Sequence, residues 1–173
     1  MEWNLNRFHE AQAEAYPWAL AEIRAGKKQS HWIWYIFPQI SGLGESFMSK
    51  YYAIANEEEA RAYWADPVLS VRLKEISGEL LALDKPIESI MGFPDNWKLR
   101  SCMTLFYYVS REPVFQEVLD KFFDGNDKNF NLSQEDKINM TKERIKVEDA
   151  LYTFFNKNIS NLTYDNLKRL FVN

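Results

Sequence analysis

An all-α fold is what this sequence predicts, and three observations carry the prediction. Helix-start chemistry recurs along the chain, most clearly at Asp66-Pro67, where a side-chain cap precedes a proline whose fixed φ suits a first turn. Apolar residues then return at helical spacing, as in Leu69, Leu73, Ile76, Leu80 and Leu83. No segment shows the strict apolar–polar alternation of a half-buried strand. The expected architecture is a compact multi-helix domain over residues 1–125 with a helical extension over 126–173.

Taken in order, Leu5, Phe8, Ala11 and Gln12 fall at helical spacing behind two candidate caps, Asn4 and Asn6. Pro17 either opens a second helix to Ala25 or kinks a single one, with Gly26 as the stop. After the aromatic run at 30–39, Ser46 is expected to cap a helix reaching Ile54. Asn56 precedes Glu57-Glu58-Glu59, acidic side chains that favour a helix start and read as a solvated first turn. Pro86 and Gly92 bracket a short turn, and Asp95 is expected to cap a helix from Asn96 to Val109. Pro113 opens another through Phe122 that stops near Gly125. Ser133 with Asp136 reads as a capping box for a long helix to about Phe155, with apolar Ile138, Ile145, Leu151, Phe154 and Phe155. A last short helix is expected after Thr163.

The boundary at Asn126 rests on composition. The last 48 residues hold nine Asn and no Trp, Gly or Pro, whereas all six Trp come earlier. The extension is expected to dock on the body or on a partner. With 173 residues, 46% hydrophobic and 16% aromatic, the chain can bury a sizeable core. A net charge of -4 sets a repulsive average field for a phosphate backbone, so no extended nucleic acid is expected as a partner. The single cysteine, Cys102, lies in an apolar stretch and fits a small buried hydrophobe in a reducing, cytoplasmic setting. The start of the chain has neither a basic end nor a long apolar run, so neither export nor membrane insertion is expected.

The most specialised stretch is Ser30-His31-Trp32-Ile33-Trp34-Tyr35-Ile36-Phe37-Pro38-Gln39, followed by Ser41-Gly42-Leu43-Gly44. Trp and His each bring a polar nitrogen that needs a partner once buried, so the run reads as the floor of a ligand site. His31 is a candidate acid, base or phosphate partner, against the plainer reading of a core-edge histidine bonded to backbone. Trp32 and Trp34 diverge on a helix, so at most one of them faces a ligand. Gln39, presented by the turn after Pro38, can read a base or sugar edge, or simply cap that turn. Gly42 and Gly44 can expose amides to a phosphate, although the loop matches no dinucleotide fingerprint. Lys98, Ser101 and Thr104 form a polar stripe on an apolar helix, with Lys98 as phosphate partner or desolvated amine. The plainer reading leaves Lys98 and Arg100 exposed, with Ser101 and Thr104 bonded to their own helix. Glu10 or Glu45 supplies a candidate acid, and Arg7 and Gln12 stand behind them. With only His9 and His31 as imidazoles, no metal and no cofactor are expected.

Those residues carry a resemblance. Arg7-Phe8 with Ala11-Gln12, Gly26-Lys27-Lys28, the run from Ser30 to Gln39, Gly42-Leu43-Gly44, Tyr52-Ala53-Ile54, Glu59-Ala60-Arg61-Ala62-Tyr63 and Pro67-Val68-Leu69 all contribute. So do Lys98-Leu99-Arg100-Ser101, Met103-Thr104-Leu105-Phe106, and Phe115 with Leu119 to Phe123. Together they make residues 1–125 resemble an uncharacterised, mostly bacterial family catalogued as "domain of unknown function eighteen-ten", whose members are sometimes labelled calpastatin. The resemblance implies a mainly helical fold and supplies no reaction, and residues 126–173 lie outside it. A fainter likeness links Phe8-x-x-x-Gln12 and the Lys98 helix to helical N-glycosidases acting on NAD and ADP-ribose compounds.

The expected function is therefore a helical pocket for a nucleotide- or ADP-ribose-like small molecule, built from His31, a tryptophan, Gln39, Lys98 and Ser101, with N-glycosidic hydrolysis as the candidate reaction. Its competitor is a non-enzymatic interaction module in which the aromatic run is core.

Overall fold

Every regular element is a helix among the described residues, 2–123 and 133–158 of a computed structural model. The nearest approach to a sheet is one parallel bridge between Ile40 and Ile54, closed by Ser41 N–H to the Ile54 carbonyl and Ile54 N–H to the Gln39 carbonyl, each 2.8 Å.

The first helix, α1 (Asn6–Arg24), continues through Pro17 and settles the choice left open by the sequence in favour of one helix. Its buried stripe of Phe8, Gln12, Tyr16, Ala19 and Ile23 packs on later elements, and that burial outweighs the main-chain bond Pro17 cannot donate. Neither Asn4 nor Asn6 caps it: the preceding residue is Leu5, in a helical conformation and with no side-chain bond. Gly26, at φ 82°, stops it as expected.

Two short helices follow, α2 (Ile33–Ile36) and α3 (Phe47–Tyr51). Ser46 does cap α3, accepting from Ser49 N–H at 3.2 Å, but the helix stops at Tyr51 because Ile54 is taken by the bridge to Ile40. Asn56 caps α4 (Glu57–Ala65) through Glu59 N–H at 3.0 Å. The acidic triplet is not wholly solvated. Glu59 is 2% exposed, bonded to Arg7 Nη2 at 2.5 Å and to Ala55 N–H at 2.7 Å. The sequence hides this because Arg7 stands 52 residues away.

Asp66 caps α5 (Pro67–Leu81) as predicted, its Oδ1 accepting from Val68 and Leu69 N–H at 2.9 and 3.0 Å. Leu69, Leu73, Ile76 and Leu80 are buried, and Leu83 lies beyond the helix end. The turn α6 (Ile87–Met91) sits between Pro86 and Gly92. The central helix, α7 (Asp95–Ser110), packs on α2, α4, α6, α8 and α9 and is buried on nearly every side. Asp95 does not cap it; its carboxylate is drawn off by two lysines instead. In α8 (Pro113–Phe123), Phe115, Val118 and Leu119 face α5 and α7.

The extension contributes α9 (Gln134–Asn158), which lies on α7 through Val147, Leu151, Phe154 and Phe155. Phe155 meets Tyr108 edge-on at 4.9 Å, and Glu148 holds Arg100 Nη1 at 3.2 Å. Ile138 and Ile145, named with the other apolar residues of this helix, are about half exposed, because their positions fall on the side of the helix opposite the buried Val147. The composition boundary at Asn126, Gly125, the Asp136 side chain and any helix after Thr163 lie outside the described residues.

Candidate functional site

The outward face of α1 carries Glu10, Glu14 and Trp18 four residues apart, with Ala11 and Ala15 between them. The i, i+4 spacing stacks the three large side chains on one face, and the two alanines leave a low floor. Opposite stand Ser30, His31, Trp32 and Tyr35, and the two walls enclose an open groove of about 520 Å³. Trp18 is 69% exposed and forms the rim.

The far wall is fixed from behind. Gln12 Nε2 donates to the Tyr35 carbonyl at 2.7 Å and to the Tyr63 hydroxyl at 3.1 Å. Glu22 accepts from Trp32 Nε1 and, at 2.7 Å, from Ser30 Oγ. Partial burial works against an ionised Glu22, yet the bonds from Trp32, Ser30 and the Gln29 amide outweigh it, so this carboxyl titrates below its ordinary range. The Tyr35 phenol is pushed above its ordinary value by burial and then by the charge of Glu14. Tyr35 also leans on Tyr52 at 5.2 Å, which continues the aromatic surface past the groove. Among the described residues no lysine or arginine lines this groove, so its charge is acidic and its walls are aromatic.

The structure brings together three of the residues named from sequence: Glu10, His31 and Trp32. His31 is exposed rather than core-edge. Trp32 is buried, yet presents part of its surface to the groove, so the aromatic run is core and wall at once. Trp34 diverges from it and lies under Lys98, whose Nζ is 5.4 Å from the ring centroid. Lys98 pairs with Asp95 at 3.4 Å and does not line the groove.

Gln39 is not presented by an open turn. It is 4% exposed, and its Oε1 has no partner among the described residues, since the Ile40–Ile54 bridge draws the segment inward. Gly42 and Gly44 adopt φ of 98° and 80° in the loop ahead of α3. A Cβ at Gly44 would sit 2.7 Å from Ser49 Oγ, so this glycine serves the turn. Ser101 and Thr104 are inside α7's packing: Thr104 Oγ1 donates to its own helix at the Arg100 carbonyl, 2.8 Å away, and Ser101 Oγ is buried without a partner among the described residues. Arg100, expected at the surface, is 6% exposed because α9 covers it. Arg7 belongs to the Glu59 pair, and Glu45 is exposed beside Lys50 at 3.1 Å. Cys102 is fully buried and its thiol is pushed up by that burial, as suits a small hydrophobe. Among the described residues no cluster of His, Cys, Asp and Glu is suited to a metal.

Sequence reasoning misses Glu14 and Trp18, and includes Tyr35 only within the aromatic run at 30–39. The first two were within reach as the helical continuation of Glu10. Tyr35 needed the fold, which alone shows that the short run 30–35 turns its side chains toward α1.

Residues 2–134 match the family described as "Protein of unknown function (DUF1810)". The chain is also similar to the crystal structure of the conserved hypothetical protein Rv1873 from Mycobacterium tuberculosis, with 41% identity and a TM-score of 0.69, over 71% of this chain and 89% of that one. Among the curated proteins there is no match. The groove and α7 both fall within the matched stretch, whereas nearly all of α9 lies beyond it.

Proposed function

The chain belongs to the DUF1810 family, and from that premise we propose that the groove between α1 and the 30–35 segment binds a ribosylated, positively charged aromatic base. One observation carries the reading: two carboxylates, an imidazole and three aromatic side chains line one open groove of about 520 Å³ with no lysine or arginine among the described lining. The volume suits a drug-sized or nucleoside-sized ligand. A cationic ring is attracted by the faces of Trp18, Trp32 and Tyr35, and by Glu10 and Glu14. Ribose hydroxyls find acceptors in the same carboxylates and in Ser30 Oγ, whose own proton goes to Glu22, and a donor in the His31 ring. A phosphate finds no cation here, so the ligand's base and sugar occupy the groove and any phosphate lies outside it.

The same arrangement supports hydrolysis of the N-glycosidic bond. When the ring nitrogen is cationic, it leaves with the C1′–N electron pair as a neutral base and needs no proton. Water oxygen bonds to C1′ and gives its proton to Glu10 as general base, while Glu14 faces the positive charge that develops on the sugar. His31 is placed to orient that water.

Titration with nicotinamide riboside, followed by tryptophan fluorescence, checks binding. Quenching with a sub-millimolar Kd is expected, and Trp18→Ala should weaken it about tenfold through loss of a ring face. Chromatography of the released base checks the reaction: Glu10→Gln should abolish release even at ligand concentrations that saturate the quench, because it removes the general base as well as one of the charges that draw the ring. Absence of quenching up to millimolar ligand would remove the binding reading altogether.

A further inference from the structure

Two lysines from different elements meet over one carboxylate beside the groove. Lys28 Nζ lies 2.9 Å from Asp95 Oδ2, and Lys98 Nζ lies 3.4 Å from Asp95 Oδ1. The segment holding Lys28 is tied to α6 by its amide, which donates to the Ile90 carbonyl at 2.7 Å. Each ammonium also sits over an indole, Lys28 at 5.0 Å from the Trp32 ring centroid and Lys98 at 5.4 Å from that of Trp34. The Lys28 side chain is 7% exposed and the Lys98 side chain 21%, so one charge is withdrawn from water and the other is reachable.

The polar groups here are out of balance. Each ammonium brings three N–H donors, and the acceptors that face them are the Asp95 oxygens and, for Lys28, the Ser30 carbonyl. Glu22, the other carboxylate acting on Lys28, is already engaged by Trp32 Nε1 and Ser30 Oγ.

We infer that Lys28 and Lys98, brought together over Asp95, form a binding site for a phosphate-class oxyanion. Two ammoniums held together from separate elements suit an oxyanion, on which lysines act as point charges. Asp95 holds the two ammoniums in place when the site is empty and competes with the anion when it is filled. The inference stands without the groove's occupant, although Ser30, whose carbonyl holds Lys28, also lines the groove. The anion is therefore either free phosphate or the phosphate monoester of a molecule whose base and sugar lie in the groove.

The test is a titration of the full chain with inorganic phosphate at fixed ionic strength, read on the indole N–H resonances. The Trp34 resonance, identified as the one lost in Trp34→Phe, is expected to shift saturably. Lys98→Met should weaken the phosphate affinity about tenfold, as loss of a charge-assisted bond does, and Asp95→Asn should tighten it by removing the competing charge. A second arm compares nicotinamide riboside with its 5′-monophosphate. A gain for the monophosphate that Lys98→Met erases assigns the site to the groove ligand's own phosphate; a phosphate shift without that gain assigns it to the free anion. No saturable shift of Trp34 by about 20 mM phosphate, or an affinity unchanged in Lys98→Met, overturns the inference.

Discussion

At the scale of single residues, partnership rather than residue type decides which polar groups face a ligand. Glu59 and Glu10 are both helix glutamates near the N-terminal end of their elements, yet Glu59 is sealed in with Arg7 whereas Glu10 opens on the groove. Breaking a buried pair strands its partner's charge, so Glu59→Gln should lower the unfolding free energy by about 3 kcal/mol in urea titration. A wild-type midpoint for that variant would refute the structural role. Asp66 gives a sign that can be read against pH. Partial burial raises its carboxyl, but the Leu69 and Val68 amides and His9 lower it further, so the folded pKa lies below the ordinary one. Its contribution is then full above the unfolded pKa and is lost as pH falls through the folded one. Asp66→Ala should cost about 1 kcal/mol at neutral pH, and the gap to wild type should close below about pH 4. A gap that widens in acid would reverse that assignment. The residues of the candidate site were only partly legible for the same reason. Glu10, His31 and Trp32 announce themselves by type, but Lys98 looks free in the sequence and is claimed by Asp95 in the fold.

At the scale of elements, local chemistry was legible and long-range competition was not. Asp66-Pro67 states a helix start within three residues, and α5 begins there. Asp95 presents the same kind of cap signal, yet Lys28, brought from far along the chain, takes the carboxylate away. Ser46 caps its helix as read, while the helix end depends on Ile54 pairing with Ile40, which no local pattern reveals. The long helix α9 shows the same limit: Val147, Leu151, Phe154 and Phe155 are buried, while Ile138 and Ile145, on the other side of the helix, stay about half exposed. Apolar spacing marks a face without saying how much of it finds a partner. Phe155→Ala should therefore cost about 3–4 kcal/mol by leaving a void against Tyr108. Ile145→Ala should stay within about 0.5 kcal/mol, as an exposed substitution does. Thermal unfolding of the two variants distinguishes them, and equal losses would mean that α9 packs differently.

At the scale of the whole molecule, the helices form a scaffold around α7, with the groove at the edge where α1 meets the 30–35 segment. None of the described helices is long and apolar enough to cross a membrane. The all-helical class was readable because helical spacing and caps agree along the chain. The groove was not, because its two walls come from separate elements and only their packing creates the space between them. The proposed selection of a cationic aromatic base rests on the carboxylates and ring faces of this space. Reduced and oxidised nicotinamide ribosides test it most directly, since they share nearly the same shape and differ in the ring's charge. Calorimetric titration of the full chain should give a Kd for the oxidised, cationic riboside about tenfold below that of the reduced one, a gap that narrows in Glu14→Gln. Equal affinities, or tighter binding of the neutral ring, would contradict the claim.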